Sequence, residues 1–353
     1  MSFYQCNLPK SAASAIVLSF LLLPPALFAR CPIATNGTLE IDAAAGNLII
    51  DTSGKDAVEW DVSNKQIDVK ETCGHTVKLV GIASGPTIKT IPEWHIKVPR
   101  TITLDLVTRA GSITIGNSDS KVNARTGGGD LSVGDVGGET LLMSQAGNVK
   151  AGNIGSNVEI RISYGGNMFL GDVGGDVNVW TSAGDITIGT ARKITNAFTG
   201  GGNMLVRKVI GPFSGKNEAG SIRIQEAGSS VDASTGSGSI YVKLVPDKQT
   251  GDFHVNLRAG TTGTGDITLF LPTGMKADVQ ATTQGGQVYS DFALSPQIAR
   301  GSSGLVPVPN TTGQSYVSPY SSFSSTQTGQ RNGGGNPVRL HTTLGKIEIK
   351  LFN

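Results

Sequence analysis

From residue 111 onward the chain repeats a short signature: Gly, then Ser, Asp or Asn, then an apolar residue, any residue, and a second apolar residue. The glycines are Gly111, Gly129, Gly147, Gly166, Gly184, Gly202, Gly220 and Gly238, so the steps are 18 residues with a single step of 19. Two positions after each glycine stand Ile113, Leu131, Val149, Met168, Ile186, Met204, Ile222 and Ile240. Four positions after it stand Ile115, Val133, Ala151, Leu170, Ile188, Val206, Ile224 and Val242. The residues between these columns are mixed, which is the period-two alternation of a strand buried on one face. A second strand begins eleven residues after the glycine, with Val122, Thr140, Val158, Val177, Thr195, Phe213 and Val231. Ala124, Leu142, Ile160, Val179, Ala197, Gly215 and Ala233 follow two positions later.

One such unit buries nothing alone, but units stacked at a ladder spacing of ~4.8 Å share a thin continuous core. The pattern therefore predicts an all-β, single-stranded β-solenoid (β-helix) with two short strands per 18-residue coil, capped at both ends. Eight coils make a rod of roughly 40 Å at that spacing. The Ser, Asp or Asn after each glycine is expected to satisfy backbone groups at the turn.

The flanks keep strand character without the strict period. Residues 30–110, with alternation at Thr38 to Asp42 and Lys65 to Val69, are read as an N-terminal β cap or opening sheet. Residues 111–294 are read as the solenoid repeats. The segment 295–336 is rich in Ser, Gly, Pro, Thr and Gln and reads as a flexible insertion. Residues 337–353, containing Gly345 to Leu351, are expected to supply a closing C-terminal strand, so that 30–353 forms one continuous domain.

Residues 1–29 have the layout of a secretory signal peptide: Lys10, an apolar run from Ala12, Pro24-Pro25, and Ala29 at the end. An uncleaved anchor is the other reading, although the run is short for a bilayer span of ~20 residues. No other stretch spans a bilayer as a helix. Cleavage removes Cys6 and leaves Cys31 and Cys73, for which a disulfide in an oxidising compartment stands against two buried thiols. Arg30 immediately before Cys31 argues against lipidation.

Composition narrows the functional classes. Glycine, at 48 residues, exceeds ordinary usage without a collagen period, and aromatics make up 6%. A net charge of +2 supplies no field for nucleic acid. His75, His95, His254 and His341 have no metal-ligand spacing, and no phosphate loop or nucleophile elbow occurs. The Gly-rich run at Gly127 lacks the offset of a calcium roll, and the column of Asp130 is mostly Asn and Ser, so no cofactor is expected.

Two chemical readings remain. Asp135 and Asp172 occupy matching runs, Gly134 to Gly138 and Gly171 to Gly175, two coils apart. They are the candidate pair for a polysaccharide-acting lyase or hydrolase, with turn residues as the simpler reading. Phe169, Leu205 and Tyr241 point outward on alternate coils of one face and form a possible binding stripe.

The repeat signature resembles the bacterial "putative adhesin" domain of the DUF4097 (toastrack-like) family. So do Val98-Pro99, followed by Leu104-Asp105-Leu106 and Gly111, and the run Leu271 to Val279 leading to Gly286 and Ser290-Asp291-Phe292. The resemblance covers roughly residues 40–353 apart from the insertion. It implies a β-solenoid on exported or membrane-linked bacterial proteins, and it brings no catalytic residues. The expected function is an exported, non-enzymatic adhesin or cell-envelope scaffold and binding module. Its partner is a protein or glycan at the surface or envelope, not nucleic acid. Its location is the periplasm, outer surface or medium.

Overall fold

The computed structural model describes residues 29–85, 90–246, 253–296 and 325–353. The expected leader lies outside the described residues apart from Ala29, as does most of the Ser/Gly/Pro-rich segment. The described residues form strands and turns, with no helix long and apolar enough to cross a membrane.

The strands form two facing sheets, one of 15 and one of 16 strands among the described residues. In the repeat region each coil places its first strand in the A sheet, as in Ile113–Ile115, and its second in the B sheet, as in Val122–Thr126. Successive coils pair in parallel: Ile113 opposes Leu131, and Val122 opposes Thr140. Both apolar columns are buried, forming one core along the whole stack. Period-two alternation thus becomes a core two side chains thick, one from each sheet, made continuous by the stacking of coils.

Each coil contributes two further inward columns. Seven residues after the glycine, Ser118, Val136, Ile154, Val173 and Ala191 bridge to one another and are buried. Fifteen residues after it, Thr126, Ser144, Thr181, Thr199, Asn217 and Thr235 are buried polar groups. Each donates to the carbonyl of a turn glycine: Thr126 to Gly111 at 2.7 Å, Thr199 to Gly184 at 2.9 Å and Thr235 to Gly220 at 2.8 Å. A buried hydroxyl is tolerated there because it meets an equally buried carbonyl.

The glycine itself is required at this corner. At Gly129 φ is +136°, and an added Cβ would lie 2.5 Å from the Gly111 carbonyl oxygen. The residue after the glycine builds a second ladder. Ser112 N–H donates to Asn47 Oδ1, Asp130 N–H to Ser112 Oγ, and Asn148 N–H to Asp130 Oδ1. The series continues through Asn167, Asp185, Asn203, Ser221, Ser239 and Asp266 to the N–H of Lys346.

The ends depart from sequence order. In the B sheet Thr38–Ala43 lies between Thr103–Thr108 and Thr76–Ala83, parallel to both. In the A sheet Asn47–Gly54 lies between Ile113–Ile115 and Glu93–Pro99. The earliest of these coils in the chain is therefore inserted beneath a later one. The C-terminus repeats the device. Asn336–Thr342 lies between Val255–Ala259 and Ala277–Thr283, and Ile347–Phe352 lies between Ile267–Pro272 and Val288–Ser290. The expected closing strand is thus a complete coil, and it sits one step inside the end.

Thirteen parallel coils result, against the eight read from the glycine period, or roughly 60 Å at the ladder spacing. Antiparallel strands finish each end: Ile67–Thr72 and Ala57–Val62 at one, Ser325–Arg331 at the other. Ser325–Arg331 and Ser295–Pro296 fall inside the segment expected to be a flexible insertion. Ser325–Arg331 pairs with the open edge of Ala277–Thr283, which offers backbone hydrogen bonds whatever the side chains, and Ser295–Pro296 pairs with Ser325–Arg331 in turn. Large residues plug the core ends, with Trp94 fully buried beside the N-terminal cap.

Candidate interaction surface

The outward faces are rows of side chains aligned by the parallel register, so residues one coil apart in the chain stand side by side along the rod. On the A sheet the expected stripe does lie in one column. Phe169 opposes Thr187, which opposes Leu205, then Arg223, then Tyr241. The three are not contiguous: Thr187 separates the first pair, and Arg223 lies over the Tyr241 ring at 3.9 Å from its centroid. Phe169 is 51% exposed, while Leu205 and Tyr241 are half-buried.

Asp135 and Asp172 lie in a turn ladder. Asp135 N–H donates to Asn117 Oδ1, and Asp135 Oδ1 accepts from Asn153 N–H at 2.7 Å. Asp172 N–H donates to Asn153 Oδ1, and Asp172 Oδ1 accepts from Thr190 N–H at 2.8 Å and from Arg207 at 2.6 Å. The Thr190 backbone N–H, with the Arg207 guanidinium, holds the Asp172 carboxyl below the usual range. That is the wrong direction for a general acid, which needs a raised value. The ladder between the two carboxylates is filled by Asn153, so the structure does not bring them together as a facing pair.

The B sheet carries a column that the sequence reading passed over, fourteen residues after each glycine from Gly111 to Gly220 and continued at both ends by strand register. In order along the rod it is Val107, Arg125, Met143, Arg161, Trp180, Phe198, Lys216, Ser234, Arg258 and His341. From Arg125 to Arg258 the column holds four permanent cations and no carboxylate, and beyond Val107 it continues to Asp42. Trp180 and Phe198 stack with centroids 5.9 Å apart and planes within 8°, and Lys216 Nζ lies 5.9 Å from the Phe198 centroid. Trp180 is 37% exposed. The same glycine alignment that exposed the core columns contains this one.

Beside the column lies a shallow depression, where Met143 and Gln145 sit among Arg109, Arg125, Arg161 and Ser163. No Asp or Glu lines it. Arg161 pairs outside it with Glu159 at 2.7 Å, and Arg109 stands 3.8 Å from Asp42. Arg125 Nε donates to the neutral Asn123 at 3.3 Å. Next to this region is the coil with the extra residue. Between Ser144/Ala146 and their partners Ile162/Gly165 the register shifts, and the bulge throws Tyr164 out to 76% exposure.

Cys31 and Cys73 are bonded, with Cα atoms 5.5 Å apart. Cys31 lies in Ala29–Pro32 at the A-sheet edge, and Cys73 follows Ile67–Thr72 at the B-sheet edge. The bridge therefore ties the two sheets together at the N-terminal cap. Among the described residues no three His, Cys, Asp or Glu side chains are grouped to hold a metal ion.

No family model matches the chain, and no curated protein does. Among solved structures, one described as a putative adhesin from Bacteroides fragilis is 16% identical. Its alignment covers 69% of this chain and 96% of that one, with a TM-score of 0.31. One described as a putative cell adhesion protein from Clostridium sporogenes is 11% identical, covering 92% and 99%, with a TM-score of 0.17. The solenoid assignment rests on the strand registers of this chain.

Proposed function

We propose that the protein is an exported, non-enzymatic rod that serves as an adhesin or cell-envelope binding and scaffold module. The observation that carries this reading is the division of labour among its polar groups. The hydroxyls facing the turn glycines and the turn Asn, Asp and Ser side chains are engaged in ladders that hold coil to coil. The outward columns, by contrast, present side chains in continuous parallel register over thirteen coils among the described residues. A surface of that kind suits an extended or multivalent partner more than a small reacting molecule. The carboxylates that a glycan-cleaving enzyme would use act as turn acceptors here.

The test is fractionation of native cells into periplasm, membranes, surface and medium, with protease shaving of intact cells. Surface exposure supports adhesion, and release into the periplasmic fraction alone replaces adhesion by an envelope scaffold. Recovery in the cytoplasm overturns the export on which both depend. Release of reducing or unsaturated sugar ends from a glycan panel would restore the enzyme.

A further inference from the structure

We infer that the arginine-lined depression and the basic–aromatic column leading from it hold a linear acidic polysaccharide laid along the rod; this rests on the binding-module reading above and names its ligand class. Three guanidiniums, from Arg109, Arg125 and Arg161, surround a depression without a carboxylate in its lining. Guanidinium is the side-chain group best shaped for two-point contact with a carboxylate. Arg161 and Arg109 each keep one carboxylate outside the depression, Glu159 at 2.7 Å and Asp42 at 3.8 Å, while Arg125 bonds the neutral Asn123; the face turned to the depression is cationic and favourable to an anionic partner.

The column extends this site in one direction. From Arg125 the cations recur at Arg161, Lys216 and Arg258, every two or three coils. That is a span of roughly 34 Å on the ladder spacing. A small anion would occupy only the depression, whereas a chain with carboxylates at intervals matches the whole row. Between the cations stand Met143, Trp180 and Phe198. The two rings stack on each other and form an apolar patch against which the C–H flank of a sugar chain can lie.

A nucleic acid fits less well. Its bases need open aromatic faces to stack on, and Trp180 and Phe198 each turn one face to the other.

The experiment uses the mature chain and polygalacturonate, with dextran as a neutral polymer and oligo-dT as a phosphate polyanion. Affinity electrophoresis at low and moderate salt reads the binding. Polygalacturonate is expected to retard the protein and dextran not to. Arg125→Glu with Arg161→Glu is expected to weaken retardation about tenfold or more. Trp180→Ala with Phe198→Ala is expected to weaken it about threefold to tenfold, at unchanged salt dependence. Lys150→Glu with Arg223→Glu on the opposite sheet, the same change in charge, is expected to leave it within about twofold. Should the glutamate pair fail to fold by circular dichroism, Arg125→Gln with Arg161→Gln serves in its place. Equal retardation by dextran, tighter binding of oligo-dT, or equal losses on the two sheets overturns the inference. A protein exposed on cells but indifferent to polygalacturonate refutes the ligand while leaving the binding-module reading intact.

Discussion

Replacing Gly129 by alanine tests the corner that every coil shares, and Gly128, its immediate neighbour, supplies the control. At Gly129 φ is +136°, a region that costs a residue with a Cβ about 1–3 kcal/mol. The added methyl would start 2.5 Å from the Gly111 oxygen and 2.6 Å from its carbon, against the 3.0 Å that real Cβ atoms essentially never go below. The obstacle is backbone, so it cannot rotate aside. That same oxygen accepts the buried Thr126 hydroxyl at 2.7 Å, and moving it strains a bond with no water to replace it. Overpacking of this kind adds about 1–3 kcal/mol. The expected loss is therefore about 2–6 kcal/mol, from the sum of the two contributions. A Cβ on Gly128 meets nothing within 4 Å, so Gly128→Ala should stay within about 1 kcal/mol of wild type, on either side. Urea unfolding followed by far-ultraviolet circular dichroism gives the two midpoints. Amide exchange across Ile113–Ile115 and Leu131–Val133 locates the damage, because coils in a stack open locally. A difference below about 1 kcal/mol between the variants, or a worse Gly128→Ala, would refute the reasoning.

The hydroxyl ladder predicts that Thr199→Val, of nearly equal shape, loses about 1–2 kcal/mol in the same unfolding assay, since the carbonyls of Gly184 and Gly201 lose a donor; Thr199→Ser should recover most of it. Asp172→Asn keeps the acceptor for Thr190 N–H but loses the charge facing Arg207. The folded-state value of Asp172 lies below its ordinary 3.8, so its stabilisation is present above that value and disappears as pH falls through the folded one. Thermal midpoints of the two proteins should therefore differ at neutral pH and converge in strong acid. Ending the chain at Gly335 removes the inserted coil and leaves Val255–Ala259 and Ala277–Thr283 without their shared partner. Size-exclusion chromatography should then show self-association through the open edge, and trypsin should cut at Lys276. Cys31→Ser with Cys73→Ser opens a link between residues 42 apart, worth at most about 4 kcal/mol; faster amide exchange confined to Ala29–Pro32, Ala57–Val62 and Ile67–Thr72 is the expected sign.

The repeat region was legible because stacking turns a long-range contact into a local period. When each coil sits on the one 18 residues earlier, Ile113 over Leu131 is both a spatial contact and a sequence repeat. The turn glycine, the buried columns and the polar ladder can all be read from one alignment. The B-sheet column of Arg125, Arg161, Trp180, Phe198 and Lys216 was present in the same alignment. Its meaning needed three dimensions, because the depression that gathers Arg109, Arg125 and Arg161 depends on how three strands and a corner meet.

The ends were decided by tertiary structure alone. Nothing in the order of strands from Thr38 to Thr108 says that the first coil slips beneath the third, and nothing in Asn336 to Phe352 marks it as an inserted coil. Each of these coils has two equally apolar edges and can pair with whichever neighbour is open. The choice is made by backbone hydrogen bonds between distant segments, and these carry no periodic side-chain signal. Ser325–Arg331 shows the same limit. Its polar composition points away from a strand, yet the free edge of Ala277–Thr283 orders it, because an edge binds backbone and asks little of the side chain. The sequence by itself therefore determined what a coil is, since that is set by local alternation and turn chemistry. Only the tertiary structure determined where the terminal coils stand, since that is set by which edges remain to be paired.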